Sequence, residues 1–169
     1  MTLQAGLALI LTMGAVFSDL LSEKVPNIWI WMGLLAGVCC QVNLHGARGL
    51  PVFLMGVLFP MVLLFPLFLF RMMGAGDIKL FAALGGILGC QDVLKGIAWA
   101  FLLGAVLSLA FLISCGNLRE RFSYFFHYLR VCKLKGSPVP YVNGGGGPEY
   151  MHFTVPVLLG ILLYAGGFY

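Results

Sequence analysis

Charge is what this chain has least of. Only six of its 169 residues are acidic and ten are basic, against a hydrophobic share of 61% and a mean hydropathy of +1.01. A soluble domain of this length could not hide that much apolar surface, which leaves a protein that crosses a membrane more than once. Strict apolar–polar alternation is also missing, since the apolar runs are continuous, and this excludes a transmembrane β-barrel. Lipid cannot satisfy open sheet edges, so the expected fold class is all-α, a polytopic membrane helix bundle. The five cysteines (Cys39, Cys40, Cys90, Cys115, Cys132) form no C-x-x-C pair, so neither a zinc site nor a disulfide framework is indicated; they read as small apolar fillers. His45, His127 and His152 are far apart and make no metal set. No H-E-x-x-H motif occurs, and no Ser-His-Asp or Cys-His arrangement stands out. The opening Met1-Thr2-Leu3-Gln4 lacks the basic region of a secretory signal peptide, and Ser18-Asp19-Leu20 is a poor cleavage context.

What the chain does have is about six apolar segments. They run from Leu3 to Ser18, Ile28 to Leu44, Pro51 to Phe70, Ile78 to Gly89, Val93 to Cys115 and Phe153 to Phe168. The fourth is short, with about a dozen apolar residues against the roughly 20 of a full crossing, and is read as a short span whose first turn carries Asp77. One domain covers residues 1–169, and its only long polar connection is the basic loop at about 116–152. Within it, Asn117 to Lys135 mixes Arg and Lys with aromatics, as suits a helix lying on anionic lipid or a surface attracting an acidic partner. The Gly144–Gly147 run reads as a flexible linker.

Basic residues orient the bundle. Counted from an outside N-terminus, the inside loops hold Lys24, Arg71, Lys79, Arg119, Arg121, Arg130, Lys133 and Lys135, and the outside loops only Arg48 and Lys95. The positive-inside rule then places both termini outside. Asp19 and Asp77 both fall at the cytoplasmic ends of their spans, at one membrane depth.

Ionisable groups entering a bilayer are costly and point to function. Asp77 follows Gly74 and Gly76, which permit close approach of backbone or of an extended peptide; the plainer reading is a carboxylate stabilising a helix N-terminus. Asp19, after Ser18, is either a partner for it or an ordinary interfacial polar residue. Lys79 is two residues beyond Asp77, off its helix face, and snorkels to the interface or balances local charge. Glu23 and Lys24 read as solvated loop charges, and Pro26-Asn27 as a turn with Asn as N-cap. Gly33, Gly37, Gly85, Gly86 and Gly89 have the spacing of close helix packing. Pro60 and Pro66 suggest kinks, and Trp29 and Trp31 an interfacial belt. Two aspartates sharing a site cannot comfortably both ionise; holding one proton between them, they can activate water and protonate a leaving amine without metal or cofactor.

The stretch Met73-Gly74-Ala75-Gly76-Asp77-Ile78-Lys79-Leu80, with Ala82-Ala83-Leu84-Gly85 and Gly89 after it, resembles the G-x-G-D signature of type IV prepilin peptidases. That family places its other aspartate after the first span, ahead of an I/V-P-N element; here these are Asp19 and Val25-Pro26-Asn27. The resemblance covers at least Phe17 to Gly89. It implies a multi-pass aspartic endopeptidase of the cytoplasmic membrane that removes the short basic leader of a prepilin or pseudopilin at the cytoplasmic face. Asp19 and Asp77 would be its catalytic pair, with Gly74 and Gly76, and Lys79 beside them, shaping the motif or the substrate site. The extra domain with paired C-x-x-C motifs found in the larger bifunctional members is missing. The likeness is therefore to the short peptidase-only branch, as in tight-adherence pilus and archaeal preflagellin systems. No zinc, no S-adenosylmethionine and no nucleic-acid partner are expected; lipid and the substrate are. Two other readings use the same carboxylates. A presenilin-type intramembrane protease also carries G-x-G-D but has Tyr-Asp in the partner span, where this chain has Ser18-Asp19. A small transporter or proton-conducting scaffold would want further ionisable groups along its path; the second and fifth spans hold only Lys95.

Overall fold

The computed structural model describes residues 3–22, 26–70, 72–114 and 153–168. Glu23, Lys24, Arg71, His127, His152, Cys115, Cys132, and the basic loop with its expected surface helix and glycine run lie outside the described residues. What is described is all-helical. In chain order come α1 (Leu3–Ser22), α2 (Asn27–His45), a short 3₁₀ turn (Gly46–Arg48), α3 (Gly49–Leu69), α4 (Ala75–Leu88), α5 (Cys90–Ser114) and α6 (Thr154–Ala165). Three stretches are long and apolar enough to cross a membrane: Leu3–Ser22, Asn27–Leu69 and Cys90–Ala110. The middle one is α2 and α3, joined where Gly46 turns the chain at φ 58°. At 14 and 12 residues, α4 and α6 are shorter than the roughly 20 of a full crossing.

The short α4 is the centre of the bundle. Ile78 and every residue from Leu80 to Leu88 are buried, and α1, α2, α3 and α5 all pack against it. A helix apolar on every side belongs in a core. It is about 21 Å long, and its last turn is buried within the bundle, with carbonyls that the helix itself cannot satisfy. Two glutamines answer this: Gln4 of α1 and Gln41 of α2 both donate through Nε2 to the Ile87 carbonyl, at 3.1 and 3.0 Å. Gly89 then reverses the chain at φ 87°, and α5 begins at the next residue. Gly89 therefore serves a backbone turn that L side chains resist, and not the close packing its spacing suggested.

The other glycines do pack. A Cβ on Gly37 would press on the Gly86 backbone, and one on Gly85 would land on the Gly56 carbonyl oxygen. Pro60, four residues beyond Gly56 in α3, has no N–H with which to engage that carbonyl. The oxygen so freed lies against the α-carbon of Gly85, a contact that only glycine allows. Helix α3 continues through both Pro60 and Pro66.

Two local readings change. Asn27 opens α2 without capping it; no side chain caps that helix, and the Asn27 Oδ1 instead accepts from Lys79 Nζ at 3.3 Å. Trp31 is exposed, as an interfacial residue would be, but Trp29 turns inward, its ring against Gly14 and its Nε1 donating to Ser18 Oγ at 2.8 Å. An indole N–H in an apolar bundle goes where it finds an acceptor. The glycine opposite leaves room for the ring.

Candidate active site

Helix α1 buries Ala5, Ala8, Thr12 and Ala15, residues three or four apart and so on one face. The next position on that stripe is Asp19. Small residues along it let α4 and α6 approach, and the stripe carries the half-buried carboxylate toward them. Asp77 stands in the first turn of α4, also half-buried, at the end of the bundle opposite the Gln4–Gln41–Ile87 cluster. Ten residues of helix, about 15 Å, separate Asp77 from Ile87.

Gly74 is the N-cap of α4, with extended backbone. From the third helical position the Asp77 carboxylate hydrogen-bonds back to the Gly74 backbone. This is half of a capping box, so the plain stabilising role is real. It also fixes the side chain. A Cβ on Gly74 would stand 3.4 Å from Asp77 Oδ2, and Gly76 is the half-buried residue just before it. The motif glycines thus keep the backbone beside the carboxylate free of side chains.

The Asp19 carboxylate is close enough to Asp77 for the two charges to repel. Asp19 is also hydrogen-bonded: Thr154 Oγ1, from the first residue of α6, donates to its Oδ2 at 2.8 Å. Lys79 is exposed and bridges to Asn27, tying the starts of α4 and α2 together. The structure therefore brings Asp19, Asp77 and Gly74 into one place and directs Lys79 to a neighbouring helix. Sequence reasoning missed Thr154, as it missed the Ser18–Trp29 pair beside the site. No spacing rule links residues 135 positions apart. The available signal was a lone hydroxyl at the head of an apolar segment, and Thr12 shows how weak that is. Its hydroxyl goes back to Ala8 and Leu9 of its own helix.

An apolar, all-helical bundle with two carboxylates gathered at one end defines a membrane protein with a built polar site. The model of the type IV leader peptidase family matches residues 6–109, well over half of the chain and inclusive of both aspartates, and the chain belongs to that family. It is accordingly a peptidase with a prepilin-type substrate. No curated protein and no solved structure matches the chain.

Proposed function

We propose that this protein is a membrane aspartic endopeptidase that removes the short basic leader of a prepilin or pseudopilin at the cytoplasmic face. The observation that carries the reading is the approach of Asp19 and Asp77, from helices far apart in sequence, to within range of each other's charge. In the mechanism the ionised carboxylate takes a proton from water, and the resulting hydroxide attacks the scissile carbonyl carbon. The protonated carboxylate gives its proton to the carbonyl oxygen, forming a neutral gem-diol. Collapse breaks the C–N bond; the carboxyl that took the water's proton passes it to the leaving amine, and the gem-diol returns a proton to the other. One proton is again shared by the pair.

The glycines at 74 and 76 support this reading by leaving space for an extended peptide at the Asp77 side. The charge distribution supports the cytoplasmic assignment. By the loop count of the sequence, eight basic residues fall on the side of Asp19 and Asp77, Lys79 among them, and only Arg48 and Lys95 on the other.

The test is co-expression with a prepilin, following leader removal on a gel. Asp19→Asn and Asp77→Asn keep size and shape but cannot transfer the protons. Each is expected to abolish processing while the protein still accumulates in the membrane. Processing by either variant overturns the paired-carboxylate mechanism.

A further inference from the structure

The last helix supplies a side chain to the site from outside the family-matched region. Thr154 is 1% exposed, and its hydroxyl crosses from α6 to the Asp19 carboxylate of α1. A threonine at a helix start ordinarily bonds its own backbone. This one does not cap α6; it sits one residue inside the helix and spends its proton on another element.

The placement is held by packing independent of the hydrogen bond. Phe153, the residue before, rests its ring against Phe101 of α5 and Phe81 of α4, with centroids 5.3 and 6.3 Å apart. Gly104 of α5 makes the room, since a Cβ there would stand 3.2 Å from the Phe153 ring. Phe81 lies four residues after Asp77, on the same face of α4. One aromatic contact thus sets the head of α6 against the helix of one aspartate while its hydroxyl grips the other. Further along, Gly160 lies against the α5 backbone at Ala100, so α6 is seated along its length.

We propose that Thr154 is a positioning residue that holds Asp19 as the base of the pair, and that α6 is therefore part of the catalytic unit. A hydroxyl donor satisfies one oxygen of the carboxylate and fixes the plane of the carboxyl group. In this assignment the shared proton is the one that Asp77 carries. Asp19 takes the proton from water, and Asp77 donates to the substrate carbonyl. The assignment rests on the paired-carboxylate reading above.

Kinetics of leader removal from a prepilin in detergent micelles test it, with five proteins in parallel: wild type, Thr154→Val, Thr154→Ser, Asp19→Asn and Asp77→Asn. Valine keeps the shape of threonine and removes the proton. It is expected to lower kcat by about tenfold to a hundredfold, as loss of a hydrogen bond to a charged group does, with KM changed less than about twofold. Serine restores the donor and is expected to keep kcat within about threefold of wild type. If valine matches wild type while both asparagine variants are dead, the positioning role falls and the paired mechanism stands. The role also falls if serine is as impaired as valine, or if only KM moves, because either result marks packing rather than the hydroxyl. If wild type fails to cleave, or either asparagine variant cleaves, the paired mechanism falls and the role of Thr154 with it.

Discussion

At the residue scale, the three buried polar side chains of the described core have three different fates. Thr12 bonds its own helix, Thr154 bonds a carboxylate on another, and Gln41 closes the end of a third. Gln41 is 1% exposed, and while its Nε2 donates to Ile87, its Oε1 has no partner among the described residues. An unpaired buried acceptor costs about 1–3 kcal/mol, more than the roughly 1 kcal/mol net gain of the bond its amide makes. Gln41→Leu removes both. With Gln4 still on the Ile87 carbonyl, the single change is expected to leave the melting temperature in detergent level or slightly raised. Gln4→Leu together with Gln41→Leu strips the carbonyl of both donors and is expected to lower it by more than the sum of the single effects. Additive behaviour would show that the two glutamines do not share one acceptor.

At the element scale, α4 decides the architecture. Its apolar residues were legible as a short segment, and Asp77 as belonging to its first turn. Its centrality was not, because length and hydropathy describe a span but not its neighbours. The glycine spacing pointed correctly to close packing at Gly37, Gly85 and Gly86, yet the partner glycine of α3, Gly56, went unnoticed. Its role depends on Pro60 leaving a carbonyl free and on α4 crossing at that height. Gly85→Ala would set a Cβ on that carbonyl, backbone against backbone with nothing flexible to yield. A cost of about 1–3 kcal/mol or more is expected, read as a lower melting temperature in detergent. Gly6→Ala in α1 is the matched control. A Cβ there meets nothing within 4 Å, and gains up to about 1 kcal/mol of helix propensity. The control should be neutral or mildly stabilising; equal loss in both variants would refute the close crossing of α3 and α4.

At the scale of the whole molecule, the bundle has two unlike ends. One gathers Asp19, Asp77, Lys79 and Asn27; the other holds Gly89, Gln4, Gln41 and Arg48, with the ion pair of Lys95 and Asp92 at 3.5 Å. If the first end faces the cytoplasm, a membrane-impermeant thiol reagent added to intact cells should label Arg48→Cys and not Lys79→Cys, in a background with the five native cysteines replaced. The reverse pattern would invert the orientation and remove the cytoplasmic leader from the reach of the site.

Sequence alone determined the class of this molecule and singled out Asp19 and Asp77 among its six acidic residues. Low charge and continuous apolar runs leave lipid-embedded helices as the only economical fold, and the motif around Asp77 and the element after Asp19 are local in the chain. Even the inward aim of Asp19 was available in principle, because it continues the small-residue stripe of Ala8, Thr12 and Ala15. Asn27 as a cap and Trp29 as a belt residue were misread for one reason. Each is taken by a partner on another helix, Lys79 or Ser18, and a local rule cannot see a competitor that arrives only on folding. Only the tertiary structure decided that the aspartates come within range of each other's charge, that α4 lies at the centre, and that Thr154 reaches Asp19. These are contacts between distant segments, and the chain acquires them only when small residues let the helices close to backbone distance.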